Sequence, residues 1–257
     1  MDQMQSEIFS LHGSRALIVG GAGGIGFAIT EGLLEFGARA VVVDSNPSAE
    51  QILTPLTNIS GFSGCLSFDI ADRAQIRQSV FQAETLLGGY VDILIHAAGI
   101  QRRSPSEDFP EGDWDAILAI NLTSAFIYAQ TVSDKMLENG RGKIVNIASI
   151  MSWFGGVTIP AYAASKGGVA QLTKALSNDW AGRGICVNAI APGYIDTPLN
   201  TALIHNPDRN SEVLARTPVK RWGVPADLKG AAVFLSSAAS DFVTGAVIPV
   251  DGGYSAR

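Results

Sequence analysis

Short apolar runs alternate with longer stretches of helical period along nearly the whole chain. The runs fall at 14–20, 39–44, 63–68, 91–96, 142–148, 184–190 and 246–250, each of strand length. Helical patterns fill the gaps at 24–37, 47–58, 72–87, 111–138, 161–181, 197–205 and 225–238. Strands that alternate with helices predict βα units, and therefore an α/β fold. Near-continuous apolar strands predict a parallel sheet covered by helices on both faces. The expected architecture is one doubly wound sheet of about seven strands, a single domain over 1–257 with residues 1–10 as an N-terminal extension.

Composition agrees with a folded core and narrows the partners. Of 257 residues, 47% are hydrophobic and 16% charged, which is globular and not disordered. A net charge of −6 argues against a general binder of nucleic acid or anionic membrane. No apolar run reaches the ~18 residues of a membrane span, and Met1 to Ser10 carries acids and glutamines instead of a signal-peptide core. Cys65 and Cys186 lack metal-ligand spacing, so two ordinary buried thiols, no metal site and a cytoplasmic location are expected.

Two constellations carry candidate chemistry. In Ala16-Leu17-Ile18-Val19-Gly20-Gly21-Ala22-Gly23-Gly24-Ile25-Gly26 an apolar strand runs into a glycine-rich turn, with a helix following. Glycines let a backbone approach a pyrophosphate, and the helix N-terminus offers free N–H groups. The next strand ends in Asp44, 18 residues beyond Gly26, near the separation of a ribose-binding acid. The second constellation is Tyr162 with Lys166 on one helical face, and Ser149 thirteen positions upstream. A neighbouring ammonium lowers a phenol's pKa, so this pair suits proton transfer. In a doubly wound sheet the turns after strand ends meet in one crevice, which joins the glycine turn, Asp44, Gly99, Ser149 and Pro192-Gly193.

With these residues in this order, the chain resembles the short-chain dehydrogenase/reductase family over roughly residues 10–257. The resemblance implies a Rossmann-type fold. It also implies that Tyr162 is the general acid/base, Ser149 polarises the substrate oxygen, and Lys166 lowers the Tyr162 pKa and binds ribose hydroxyls. Asn121 would help to hold a water beside Lys166. It places the cofactor against Gly20, Gly24, Ile25 and Gly26, against Asp69 and Ile70, and against Ala98 and Gly99, with Pro192, Gly193, Ile195 and Thr197 at the nicotinamide end. Asp44 would accept both ribose hydroxyls of NAD and repel the extra phosphate of NADP. The positions where NADP-binding relatives carry a basic residue are Gly23 and Ser45, so NAD is the expected cofactor. Two departures stand out: Val19 replaces the family's Thr, and His96-Ala97-Ala98-Gly99 replaces Asn-Asn-Ala-Gly. Loss of both partners of a polar contact can be nearly neutral, so Val19 and Ala97 read as a compensated exchange. His96 is left without a role.

The substrate end rests on fewer residues. Arg102 and Arg103 follow the fourth strand, and guanidinium groups suit carboxylates; a solvated arginine pair is the plain alternative. Ile100-Gln101-Arg102-Arg103 and Arg221-Trp222-Gly223 look like gluconate 5-dehydrogenases and 2-dehydro-3-deoxy-gluconate 5-dehydrogenases. That resemblance implies a sugar acid or related polyol as substrate, with Met151, Trp153 and Phe154 walling the pocket. Another alcohol under the same mechanism, or a non-catalytic NAD-binding protein, are the competing readings. The resemblance also implies a homotetramer, and Ile117, Phe126, Tyr128, Val169, Leu172 and Leu176 are the apolar residues available for its interfaces.

Overall fold

A computed structural model describes residues 7–256, so most of the expected 1–10 extension lies outside the described residues. Seven strands, β1 (Arg15–Val19), β2 (Arg39–Val43), β3 (Phe62–Leu66), β4 (Ile93–His96), β5 (Gly142–Ile147), β6 (Ile185–Pro192) and β7 (Val247–Val250), form one sheet. All neighbours are parallel and the order is β3-β2-β1-β4-β5-β6-β7. Every expected strand is present. The order reverses between β1 and β4, which places the binding crevice beyond their carboxyl ends.

The helices are α1 (Gly24–Glu35), α2 (Ala49–Leu53), α3 (Arg73–Leu87), α4 (Glu111–Leu118), α5 (Ser124–Glu138), α6 (Pro160–Trp180), α7 (Thr201–Ile204), α8 (Pro207–Arg216) and α9 (Lys229–Ser236). Successive strand residues point to opposite faces, so each apolar run feeds two cores. Ile18, Val42, Ile95 and Val145 pack with Ile29 and Leu33 of α1 and Val233 of α9. Leu17, Val41, Leu94 and Ile144 pack with Val80 of α3, Tyr128 of α5 and Leu176 of α6.

The helical expectations needed four corrections. The 47–58 segment is the short α2 followed by a 3₁₀ turn, Thr54–Asn58, because Pro55 supplies no N–H to continue an α-helix. The 111–138 segment is broken by a π turn, Ala119–Thr123, centred on Asn121. The 197–205 segment is a 3₁₀ turn, Pro198–Asn200, and the single-turn α7. Helix α8 was not expected at all. It is strongly polar on average, with Val213 its one buried residue, but Asn206 caps it and Pro207 occupies its first turn.

The helical stretch Glu111–Glu138 contains an 18-residue window with a mean hydropathy of 1.3, long and apolar enough to cross a membrane by length and composition only. Its Ile127, Tyr128, Val132 and Met136 are buried in the sheet core, which accounts for that hydropathy. Four of the six residues assigned to subunit interfaces are likewise internal: Ile117, Tyr128, Val169 and Leu176 are buried, whereas Phe126 is exposed. Leu172 packs partly buried against the core. Both cysteines are free and half-buried.

Candidate functional site

The glycine turn is shaped by close approaches that a side chain would forbid. Gly20 has φ +80°, and a Cβ there would lie 2.6 Å from the Ala98 Cα. A Cβ on Gly26 would collide with the Gly20 carbonyl oxygen. Helix α1 then starts with Gly23 as its N-cap, with no capping side chain and no acid in its first turn. Its leading N–H groups are therefore left for an outside anion, which fits a pyrophosphate. Gly24 faces Thr197, whose Cγ2 would be 3.3 Å from an added Cβ.

Gly20, Asp44, Asp69, Ile70, Ala98 and Gly99 line one cavity at this end of the crevice. The Asp44 carboxylate is fixed there: it accepts from Ala22 N at 2.9 Å and from Asn46 N at 2.9 Å. Among the described residues no Lys or Arg lines this cavity, while two carboxylates do. A second cavity shares Ala97 and Gly99 with it. Here Ile25, Pro192, Gly193, Ile195 and Thr197 meet Ser149, Tyr162 and Lys166. All the predicted dinucleotide residues except Gly24 and Gly26 line these two adjoining cavities, and their chemistry fits the group.

Ser149 stands just beyond β5 on extended backbone, its Oγ accepting from Met151 N at 3.1 Å. Pro160 opens α6, which puts Tyr162 in the first turn and Lys166 one turn later. Lys166 is 3% exposed and its Nζ donates to the Ile147 carbonyl at 2.6 Å. Burial pushes its pKa down to about 8. The Tyr162 phenol is held above its ordinary value, because burial outweighs the opposing pull of its hydrogen bond with Ser149 and of the Arg103 charge. This corrects the expectation that Lys166 lowers that pKa. The ammonium is aimed at Ile147 and lies 5.8 Å from the phenol ring centroid.

Asn121 is fastened by three hydrogen bonds. Its Oδ1 accepts from Ile100 N at 2.8 Å, and its Nδ2 donates to Ile100 O and Ser165 Oγ at 3.0 Å each. Both amide hydrogens are used, so the side chain fastens the loop after β4 to α6. The π turn is what swings it there. His96 lies one face away, 2% exposed, with Nε2 2.7 Å from Ser124 Oγ. Since the Ser124 hydroxyl donates to Ile120 O at 2.6 Å, Nε2 is the donor in that pair. Burial, reinforced by the Lys166 charge, holds this imidazole's pKa down to about 3, and it stays neutral. Val19 and Ala97 keep only a backbone bond, Ala97 N to Val19 O at 2.8 Å, as an apolar exchange should.

The third cavity opens from the same Ser149 and Tyr162 and is walled by Gln101, Arg103, Met151, Tyr194 and Arg209. Of the predicted pair, Arg103 faces inward. Arg102 is turned away and ion-pairs with Asp113 at the start of α4, so its substrate role is not supported. Trp153 is 46% exposed and does not line the cavity. Phe154 instead packs edge-on to Tyr254, centroids 6.4 Å apart, under the Arg216 guanidinium. Tyr194 and Arg209 were missed by the sequence reading. Tyr194 directly follows the Pro192-Gly193 signal, whereas Arg209 had no motif beyond the Asn206-Pro207 helix start.

The sequence profile described as enoyl-(acyl carrier protein) reductase matches residues 20–255. The 2-dehydro-3-deoxy-D-gluconate 5-dehydrogenase of Bacillus subtilis is 41% identical, over 98% of this chain and 98% of its own. The gluconate 5-dehydrogenase of Gluconobacter oxydans is 40% identical, over 96% of each chain. A crystal structure of a gluconate 5-dehydrogenase from Burkholderia cenocepacia, in complex with NADP and tartrate, superposes with a TM-score of 0.93. It is 43% identical and covers 98% of this chain and 99% of its own.

Proposed function

The chain belongs to the short-chain dehydrogenase/reductase family, and on that premise we propose that it interconverts a secondary alcohol and a ketone on a sugar acid. The observation that carries the reading is the placing of Arg103 in the same cavity wall as Ser149 and Tyr162, with no acidic residue lining that wall among the described residues. A guanidinium there suits a carboxylate held beside the reacting carbon. Relatives named for gluconate and 2-dehydro-3-deoxy-gluconate chemistry support the same class.

Bound nicotinamide supplies or accepts a hydride at its C4. The chain's own groups do the rest. Tyr162 moves the proton to or from the substrate oxygen, and Ser149 donates a hydrogen bond to that oxygen. The Arg103 guanidinium directs positive charge toward the same phenol and favours the phenolate.

NAD(H) is the proposed cofactor in preference to NADP(H). Asp44 and Asp69 line the adenosine end with no basic residue among the described residues, and a ribose phosphate there would face carboxylate charge. The Burkholderia relative carries NADP, so the choice rests on this chain's residues and not on kinship. The proposed assembly is a homotetramer, for which exposed Phe126 and the edge strand β7 offer surfaces. The cytoplasm is the proposed compartment, given two free thiols, and cell fractionation checks it. The direct test of function is NADH absorbance over a panel of sugar acids, polyols and their ketones. Turnover confined to uncharged alcohols would end the sugar-acid reading.

A further inference from the structure

Resting on the sugar-acid reading, we infer that Arg209 of α8 is a second reader of the substrate carboxylate, reaching it by exchanging Glu212 for the substrate. Among the described residues, the cavity beside Ser149 and Tyr162 has two cationic side chains in its wall, Arg103 and Arg209, and no carboxylate. The chain as a whole carries a net charge of −6, so this is a local concentration of positive charge against the general trend. The two arginines come from separate elements, the loop after β4 and the helix between β6 and β7. They converge on one space. The Tyr194 phenol, in the same wall, is within reach of both charges.

Arg209 is positioned by local structure. Asn206 Oδ1 accepts from the Arg209 N–H at 3.1 Å, which caps the helix at that residue. Further anchors of α8 include the Trp222 indole, which donates to Asn210 Oδ1 at 2.7 Å, and Arg216, whose guanidinium lies 4.2 Å from the Tyr254 ring centroid. The backbone of Arg209 is therefore held while its side chain keeps a choice of partner.

Its present partner is easily displaced. Arg209 Nη1 meets Glu212 Oε2 at 2.6 Å, three residues along the same helix, with side chains 46% and 63% exposed. Such an exposed pair contributes little net stability. A carboxylate entering the cavity gains Arg103 and Arg209 together, in a more enclosed setting where charge-assisted bonds are stronger. An uncharged polyol gains neither. Arg209 is thus a specificity-determining residue that separates acids from polyols.

The test compares the parent enzyme, Arg209→Ala and Glu212→Gln on gluconate and on sorbitol, the latter read as substrate or as competitive inhibitor. Arg209→Ala is expected to raise the KM for gluconate about tenfold and to move the sorbitol constant less than about twofold. Glu212→Gln, which breaks the same ion pair but leaves the guanidinium, is expected to hold the gluconate KM at or below the parent value. Equal shifts on acid and polyol, no shift on either, or a Glu212→Gln loss matching that of Arg209→Ala overturn the inference. A parent enzyme that turns over polyols and no sugar acid overturns the functional reading beneath it. Acid turnover without the differential overturns only the role of Arg209.

Discussion

Arg102 and Arg103, adjacent in sequence, have opposite fates: Arg102 ion-pairs with Asp113 on the outside of the loop, and Arg103 enters the cavity beside Tyr162. Only one of them can meet a substrate. Arg103→Ala is expected to raise the KM for a sugar acid by about ten- to a hundredfold, since a charge-assisted bond is worth roughly 1.5–3 kcal/mol and ~1.4 kcal/mol is one decade. Arg102→Ala should change it by less than about threefold, its partner being an exposed pair. Steady-state kinetics on the two single variants decides, and a larger effect at Arg102 would reverse the assignment.

Tyr162→Phe is expected to lower turnover by on the order of 10²–10⁴-fold while NADH still binds, because the phenol is needed for proton transfer and Phe preserves the ring. Fluorescence titration with NADH alongside the rate separates the two. A variant with near-parental turnover would remove Tyr162 from the chemistry.

Lys166 carries a pH signature of its own. Its folded pKa is down to about 8 from 10.5, so between these values the unfolded chain binds the proton that the folded chain has released. Stability from this group therefore rises with pH across that window, and the burial cost is felt in full below about pH 8. Lys166→Met should be the more stable protein at pH 7, with an advantage on the order of a few kcal/mol that shrinks toward pH 10.5. Urea unfolding of both proteins at several pH values measures it, and a pH-independent difference would rule out burial of the ammonium as the cause.

Asp44→Ala is expected to narrow the preference for NAD(H) over NADP(H), by loss of a ribose acceptor and of a charge that repels phosphate. The variant also frees Ala22 N and Asn46 N, which the carboxylate now binds, so some affinity for both cofactors should fall. Dissociation constants for the four combinations of protein and cofactor test this. Tighter binding of NADPH than NADH by the parent would show that Asp44 does not set the choice.

Light scattering at micromolar protein is expected to give about four times the 27.0 kDa chain mass. A monomeric mass would leave Phe126 and the β7 edge as ordinary surface.

The sheet was legible because its strands are buried on both faces, so runs such as Leu17-Ile18-Val19 and Val41-Val42-Val43 stay apolar without interruption. The glycine turn and the Ser149, Tyr162 and Lys166 set were legible through spacing, which the backbone enforces at Gly20 and Gly26. Helix α8 was hidden because a mostly solvated helix that buries only Val213 has few apolar residues to read. The directions of Arg102, Arg103 and Trp153 were hidden for another reason. They sit on loops, where tertiary partners such as Asp113 decide orientation and no local pattern records them.

The insertion of α8 between β6 and β7 has a bearing on how such a protein can diversify. The proton-handling residues hang from β5 and α6 and are tied down through Ile147, whereas Arg209 arrives on a helix that contributes one residue to burial. Exchange of that helix for another would leave the sheet and the proton chemistry in place. Substrate preference and catalytic competence therefore sit on separable cassettes, and a new diet can be acquired by redrafting residues 206–216 between anchors at Trp222 and Tyr254.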